Sequence, residues 1–440
     1  MSLFFNNCYF WFFLISIAVM AAPLFLNQFS GFYFYWALLF FLGIFIKVIA
    51  HQFFDYVFVE PIGNFSGSMA EWDSYFLCGA LMASAIGLTG FLLGTITSSK
   101  RFNSKLISSK AVPKTKPSIW FYCAFAIVIL FILNQHFQIY VVGVRPLYQL
   151  PFYLGIPLSF LIYLGSSIVL AAYVADDVTH YQRLRLPISI FVLLVIFCQS
   201  LLTGSRAPIV VEAIPILLGA SYTQFKINKY KISYKPYFYA VLFLTLSLVA
   251  VSLFRIHYFY GKSLTDFQMI LFYAKESSSL FVDRWTGAEA LMVGVSYPNA
   301  SMNVFAQLMV ESPSKGAESL YQIISGSYDR FELYRKEGAN IFATLPGYVG
   351  ILALSGSYAL IFFGTSLLTA FGMLYEFIIT KLLYRQYVYI SLVCASLAYF
   401  LTQIQYTKLF VIYLFNLTIF ILLIHYGFLR RKFQWINNTN

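Results

Sequence analysis

Apolar stretches of about twenty residues recur along the whole of this chain. A helix needs about twenty apolar residues to cross the hydrocarbon core of a bilayer, which is roughly 30 Å thick. Only 10% of the 440 residues are charged, against about 25% in soluble domains. The chain is therefore predicted to be an all-α polytopic integral membrane protein. About eleven spans are predicted, at 9–26, 32–50, 75–97, 118–136, 154–174, 187–203, 208–222, 237–254, 347–373, 387–404 and 409–428.

The distribution of lysine and arginine predicts the orientation of these spans. Seventeen of the 29 basic residues lie in four short loops and the C-terminal tail, all on one side of the membrane under the predicted spans. Cytoplasmic loops retain positive charge, so this side is predicted to be the cytoplasm. These basic residues account for most of the excess positive charge, and in the loops and tail they set the topology and meet anionic lipid head groups. The net charge of +12 therefore predicts no nucleic-acid partner.

A polar segment of about ninety residues, 255–345, interrupts the apolar pattern and is predicted to face outside. It holds nine of the seventeen acidic residues. Its weak amphipathic patterns predict helices that lie at the membrane interface. The predicted organisation is an N-terminal transmembrane bundle at 1–254, a large outer loop with interfacial helices at 255–346, and C-terminal transmembrane helices with a basic tail at 347–440, all within one integrated membrane domain.

The sharpest candidate site is a turn bounded by glycine and proline at 202–208, between two predicted spans. The planar guanidinium of Arg206 suits two-pronged binding of phosphate or carboxylate oxygens. The backbone amides of Gly204 and Ser205, near the start of the next helix, are predicted to join it in an anion pocket. The alternative is an arginine that merely anchors the turn at the interface.

Two clusters in the polar segment combine acids, arginines and aromatic rings, which suits a sugar site. They contain Asp283, Arg284, Trp285 and Glu289 in the first cluster, and Arg330, Tyr334 and Arg335 in the second. The alternative is that either cluster is the solvent-exposed face of a helix with no role in binding. Arg145 and Arg255 are further candidates for substrate binding. His257 follows directly on a predicted span and is either a general base or an interfacial anchor.

Two ionisable residues, Lys47 and Glu212, lie inside predicted spans. Such residues are costly in a bilayer, and they are usually paired or functional. For Glu212, a structural ion pair and a catalytic role both stay open. Glu71 and Asp73 have a spacing that would suit a divalent cation, but this spacing is common and no metal site is predicted. The five cysteines show no metal or redox spacing.

Known nucleotide and hydrolase motifs are absent from the sequence. There is no P-loop, no Rossmann glycine string, no HExxH and no GxSxG. Nucleotide-driven chemistry is therefore not expected, and no cofactor is predicted. A group donor would have to arrive already activated, from within the membrane.

Taken together, the chain resembles the O-antigen and oligosaccharide repeat-unit polymerases, the Wzy family. The resemblance covers nearly the whole chain. It depends on the many spans, the large outer loop, the Gly-Ser-Arg turn at 204–206, the outward arginines and the Pro-Gly-Tyr-x-Gly sequence at 346–350. The arginine-x10-glycine patterns of some members are not matched, because Gly294 follows Arg284 one residue too soon and Gly347 follows Arg335 one residue too late.

The resemblance implies a metal-independent, GT-C-like glycosyltransferase at the periplasmic face of a bacterial inner membrane. It would move a growing glycan from undecaprenyl pyrophosphate to the non-reducing end of a lipid-linked repeat unit. Arg206 and Arg284, supported by Arg335, would neutralise the leaving pyrophosphate. The candidate bases for the acceptor hydroxyl are Glu289, Asp283 and His257. The partners implied are the lipid-linked oligosaccharide, inner-membrane lipid and, as a further candidate, a chain-length regulator protein.

Two other functions stay open. An O-antigen ligase would share the donor and the architecture but deliver the glycan to lipid A core. A transporter of lipid-linked oligosaccharides is expected to show internal repeats and broken helices with charges near the midplane. Replacing either Arg206 or Arg284 by alanine is predicted to abolish long-chain product.

Overall fold

The structure, a computed structural model, describes residues 7–26, 30–54, 56, 58, 60–102, 117–140, 154–227, 234–260, 287–311, 319–326, 346–383, 386–403 and 407–439. Within these ranges the chain forms helices and no strands. The first ten are α1 (Cys8–Phe25), α2 (Gly31–Phe40), α3 (Lys47–Phe54), α4 (Met69–Phe102), α5 (Pro117–Phe137), α6 (Gly155–Phe160), α7 (Ser166–Tyr181), α8 (Leu186–Thr203), α9 (Ile214–Ile227) and α10 (Tyr234–Tyr260). They are followed by α11 (Ala288–Ser296), α12 (Met302–Val310), α13 (Leu320–Ser325), α14 (Gly347–Ala353), α15 (Tyr358–Leu382), α16 (Tyr387–Thr402) and α17 (Thr407–Thr439).

Nine helical stretches among the described residues are long and apolar enough to cross a membrane. They are Cys8–Phe25, Gly31–Phe54, Met69–Gly94, Ser118–Phe137, Pro157–Tyr181, Leu186–Thr203, Lys235–Phe254, Tyr358–Leu382 and Thr407–Ile424. The prediction of a polytopic, helical membrane protein is therefore confirmed. The predicted spans 208–222 and 387–404 are not among the nine, and α16 is a shorter apolar helix of 16 residues. The count of eleven stays a prediction.

The predicted span 347–373 begins with a separate short helix. α14 ends at Ala353, and α15 begins at Tyr358 after a turn through Gly356, whose φ is +65°. A Cβ on Gly356 would lie 2.8 Å from the Ala300 carbonyl oxygen. The Leu354 carbonyl accepts a hydrogen bond of 3.0 Å from the Ser301 amide. The turn therefore holds the start of α12, and the spanning part of the sequence moves to Tyr358–Leu382.

The chain divides into two compact units. The first unit contains residues 1–104, 279–377 and 397–412, and the second contains 105–278, 378–396 and 413–440. In the first unit, α11 packs against α4 and α14. In the second, α8 packs against α10, and α9 against α7. The predicted boundaries after residues 254 and 346 stay a prediction.

Among the described residues, three π-helical segments interrupt the α-helices. They are Phe41–Ile46 between α2 and α3, Leu161–Gly165 between α6 and α7, and Ile209–Ala213 before α9. A π-turn widens the helix, disturbs the regular hydrogen-bond ladder and is frequent at functional sites. A buried polar residue follows or lies within each segment: Lys47 after the first, Ser166 after the second and Glu212 within the third.

A carboxylate caps the second span in the first unit. Glu376 on α15 accepts hydrogen bonds of 2.9 Å from the amides of Gly31 and Phe32, one on each oxygen. These amides belong to the first turn of α2, which has no partner for them within the helix. A negative charge is also stabilising at this end of a helix. The bonds join α2 to α15.

Replacing Gly87 by alanine is expected to destabilise the first unit by about 1–3 kcal/mol. α4 crosses α1 at this glycine, and an added Cβ would lie 2.8 Å from the Val19 carbonyl carbon. That atom is backbone, so the helices would have to separate. Gly155→Ala is the matched control, because nothing lies within 4 Å of its Cβ position. Thermal unfolding of the detergent-purified variants tests this, and equal midpoints would contradict it.

Candidate functional site

Four of the predicted site residues lie in the described part of the chain. Arg206, Arg255 and His257 belong to the second unit, and Glu289 belongs to the first. The remaining predicted residues, Arg145, Asp283, Arg284, Trp285, Arg330, Tyr334 and Arg335, lie outside the described residues. These residues therefore belong to two groups of polar residues, one in each unit, and each group is described by itself.

The turn before Arg206 closes the helix that precedes it. Gly204 has a left-handed backbone, with φ of +59°, and its amide donates to the carbonyls of Ser200 and Leu201. The Ser205 amide donates to the Ser200 carbonyl at 3.0 Å. A left-handed glycine with such bonds is the usual C-terminal cap of an α-helix. The prediction that both amides face an anion is therefore wrong, since they satisfy the end of α8.

The Arg206 side chain is held against α10. Its Nη1 donates to Ser252 Oγ at 3.2 Å, and the buried Ser252 hydroxyl donates in turn to the Leu248 carbonyl at 2.7 Å. Arg206 as a whole is half-buried. Coulombic attraction to an anion is stronger in such a position than in bulk water, because the local dielectric is lower. The arrangement suits an anion-binding cation at the end of an apolar helix.

Two more predicted residues follow Ser252 on the same helix. Arg255 and His257 come three and five positions later, which corresponds to about 4.5 and 7.5 Å along the helix axis. His257 is exposed in the last turn of α10. The structure therefore places Arg206 beside the helix whose end carries Arg255 and His257. Sequence reasoning missed Ser252, although a serine in an apolar run is a signal for such a contact.

The chain matches no protein-family model, curated protein or solved structure. The functional argument therefore depends on the chemistry of these residues.

In the first unit, Lys47 and Glu289 form a buried ion pair. Lys47 Nζ lies 2.7 Å from Glu289 Oε1 and 2.8 Å from Oε2. Their side chains are 0% and 4% exposed. The Lys47 ammonium therefore binds both oxygens of the carboxylate that the sequence assigned to an outer sugar-binding cluster. Sequence reasoning noted each residue but not their contact.

The backbone around Gly287 brings Glu289 to this position. Gly287 precedes α11 with φ of +152°, a conformation that favours glycine. A Cβ there would lie 2.9 Å from Ile44 Cγ1 and 3.3 Å from the Gly43 backbone. Gly43 and Ile44 belong to the π-helical segment that leads into Lys47. The π-helical segment therefore contacts the start of α11, and the residue that follows it, Lys47, pairs with Glu289, the second residue of α11.

Burial shapes the ionisation of this group. Loss of solvent raises the pKa of the Glu289 carboxyl, and the Lys47 ammonium acts in the opposite direction. Burial, followed by the charges of Glu289 and Glu60, also raises the pKa of the Tyr321 phenol. A buried charge that loses its partner carries a large desolvation penalty. Removing one member of the pair is therefore expected to cost more stability than removing both.

The two acids considered for a divalent cation have separate partners. Glu71 Oε2 accepts from the hydroxyls and amides of Ser66 and Ser68 at 2.7–3.0 Å. Asp73 Oδ1 accepts from Asn7 Nδ2 at 2.5 Å. Within the described ranges, no group of three or more histidine, cysteine or acidic residues is placed to hold a metal ion.

Glu212 lies in a buried polar group in the second unit. Its Oε2 accepts a hydrogen bond of 3.0 Å from Gln199 Nε2 and also contacts Ser167 Oγ. No basic side chain in the described part of the chain forms an ion pair with it. The ion pair predicted as one alternative is thus not found there. Ser167 and Gln199 went unnoticed in the sequence, although each is a polar residue within an apolar run.

Proposed function

We propose that this chain is a glycosyltransferase that lengthens a lipid-linked glycan in a bacterial inner membrane. Its donor would be a growing glycan on undecaprenyl pyrophosphate, and its acceptor the non-reducing end of a lipid-linked repeat unit. This is the activity of the O-antigen polymerases that the sequence resembles, with a GT-C-like fold and a periplasmic active site. The observation that carries the proposal is the anchored Arg206 beside the end of α10.

The chemistry of the donor explains why such an arginine is needed. The acceptor hydroxyl forms a bond to the anomeric carbon while the bond from that carbon to the pyrophosphate breaks. Negative charge develops on the leaving pyrophosphate, and a preorganised cation stabilises the transition state. The Ser252 contact holds the Arg206 guanidinium in place before the donor arrives. We assign this role first to Arg206, and to Arg284 and Arg335 as predicted partners.

The acceptor hydroxyl must also lose a proton to a base. Among the three predicted bases, Glu289 is buried and bound to Lys47 through both oxygens, so we propose that it positions α11. His257 is exposed and stays a candidate base together with Asp283. Arg145, Arg255, Trp285, Arg330, Tyr334 and Arg335 remain the predicted residues for sugar and pyrophosphate binding.

A transporter of lipid-linked oligosaccharides is the second candidate. The buried Lys47 and Glu212, each beside or within a π-helical segment, favour it, because transporters place charged residues in interrupted helices. The polymerase stays the first proposal because Arg206 and His257 lie near the end of the apolar helix α10, where a lipid-linked pyrophosphate would sit.

Proteoliposomes decide between these functions. The purified protein and a lipid-linked repeat unit are expected to give a ladder of longer lipid-linked glycans. Translocation of the repeat unit without any lengthening would contradict the polymerase and support the transporter. Transfer onto lipid A core, with no lengthening in its absence, would identify a ligase. A deletion strain gives the same distinction, since loss of a polymerase leaves core with one repeat unit and loss of a ligase leaves bare core.

A further inference from the structure

Ser167, Gln199 and Glu212 form a closed ring of contacts in the second unit. All three side chains are 0% exposed. Glu212 Oε2 contacts Ser167 Oγ and lies 3.0 Å from Gln199 Nε2, and Ser167 Oγ lies 3.3 Å from Gln199 Oε1. Each side chain therefore touches the other two. The number of hydrogens available to these contacts depends on the protonation state of the carboxyl.

A backbone carbonyl fixes the orientation of the amide in the ring. Gln199 Nε2 also donates to the carbonyl oxygen of Tyr163, in the π-helical segment Leu161–Gly165. A carbonyl oxygen only accepts hydrogen bonds, so the nitrogen of the amide must face it. The two Nε2 hydrogens therefore go to Tyr163 and to Glu212. The amide oxygen Oε1 faces Ser167 and needs a hydrogen from it.

An ionised Glu212 leaves this ring one hydrogen short. The Ser167 hydroxyl has a single hydrogen, but it would face two oxygens that only accept, Gln199 Oε1 and Glu212 Oε2. A proton on Glu212 Oε2 removes the shortage. That proton is donated to Ser167 Oγ, the Ser167 hydrogen is donated to Gln199 Oε1, and Gln199 Nε2 donates to Glu212. Every contact in the ring then holds one hydrogen.

The second oxygen of the carboxyl supports the same state. Glu212 Oε1 is buried and has no hydrogen-bond partner. A neutral carbonyl oxygen is less costly to bury unpaired than an oxygen that shares a full negative charge. The charged and titratable residues on its own element and on the elements packed around the ring are Tyr122, Cys123, His136, Tyr163, Tyr173, Asp176, Asp177, His180, Tyr181, Cys198, Arg206, Tyr222, Lys226, Tyr234, Lys235, Tyr237, Tyr239, Arg255, His257, Tyr258 and Tyr260. Among those with described side chains, none bonds to Glu212.

We propose that Glu212 is a proton-binding site in the apolar interior of the second unit. The ligand is a proton and not a metal cation, because the Gln199 nitrogen directs a hydrogen at Glu212 Oε2 where a cation would need an oxygen ligand. On binding, the Glu212 carboxylate takes up one proton from the solvent and becomes a neutral carboxylic acid. Its new O–H group donates a hydrogen bond to Ser167 Oγ. The proposal does not depend on the glycosyltransferase activity.

Stability against pH tests the proposal on the full-length protein in detergent micelles. A free carboxyl in the unfolded chain ionises near pH 4.3, so above that pH the folded protein would hold one proton more than the unfolded chain. Stability then falls as pH rises. The unfolding constant of the wild type, relative to Glu212→Gln, is expected to increase about tenfold per pH unit until Glu212 ionises in the folded state. A ratio that does not change with pH overturns the proposal, as does a ratio that follows sodium concentration.

Infrared spectroscopy reads the proton directly. The folded wild type at neutral pH is expected to show the C=O stretch of a protonated carboxylic acid, which Ser167→Ala shifts and Glu212→Gln removes. Asp177→Asn is the control and should leave the band, because Asp177 is ion-paired with Arg185 at 2.5 Å. Should Glu212→Gln fail to accumulate, the wild type and Ser167→Ala still decide. Spectra without a band that responds to Ser167→Ala overturn the proposal.

Discussion

Replacing Lys47 by methionine is expected to cost the folded protein about 3–5 kcal/mol. Methionine fills a similar volume but leaves the Glu289 carboxylate without its cation. Glu289 is 3% exposed, so water cannot take the place of the ammonium. The carboxyl must either stay charged in an apolar surrounding or bind a proton, and both states are less favourable than the pair. Denaturant unfolding of the purified variant in detergent micelles measures the loss.

A double variant distinguishes the net contribution of the ion pair from the cost of leaving one buried charge without its partner. Lys47→Met combined with Glu289→Leu removes both charges, and it is expected to recover most of the stability that the single change loses. Lys226→Met is the matched control, because Lys226 is exposed at the end of α9 and should change stability by no more than about 0.5 kcal/mol. A single Lys47→Met variant as stable as this control would show that the pair contributes nothing.

The same double variant tests the predicted catalytic role of Glu289. A general base cannot be replaced by leucine without loss of the chemical step. A folded double variant that still lengthens glycan would therefore restrict Glu289 to positioning α11. A folded but inactive double variant would return Glu289 to the list of candidate bases. The double variant must be shown to fold before either conclusion is drawn.

The spanning helices could be predicted because membrane insertion depends on local composition. A run of about twenty apolar residues is sufficient to indicate a span, and nine such helices are present among the described residues. The helix interruptions could not be predicted in the same way. The π-helical segment at Phe41–Ile46 adds no polar residue to its apolar run, so hydropathy is unchanged there. The break at Gly356 had a local signal, a Ser-Gly-Ser sequence.

The contacts of the candidate site were harder to predict. Lys47 and Glu289 are 242 positions apart in sequence, and no local pattern pairs them. The requirement that a buried lysine has an acid partner predicts that a pair exists without naming the acid. Gly204 had a clear local signal, since a glycine after an apolar helix is a usual C-terminal cap. The sequence prediction instead assigned Gly204 to the start of the next helix, and for this reason its amide was wrongly predicted to face an anion.

Replacing Arg206 by alanine is expected to reduce glycan lengthening at least about 100-fold, in line with the loss of one preorganised charge-stabilising group at a transition state. The protein should remain inserted and abundant, because Arg206 is only half-buried and Ser252 keeps its bond to the Leu248 carbonyl. Arg206→Lys keeps the charge but loses the planar fork, and an intermediate rate is expected. Gel analysis of lipid-linked products in proteoliposomes measures all three proteins. The same loss is predicted for Arg284→Ala, which lies outside the described residues.

The Ser252 contact makes the Arg206 prediction more specific. Ser252→Ala keeps the guanidinium but removes one acceptor of its hydrogen bonds, at 3.2 Å. Preorganisation is then weakened while the charge remains, so the rate should fall less than in Arg206→Ala. Arg183→Ala is the control, because Arg183 is an exposed arginine in the short loop between α7 and α8 and should leave the product ladder unchanged. Wild-type ladders from Arg206→Ala would remove this arginine from the site, and equal losses from Arg183→Ala would show that the effect reflects net charge and not position.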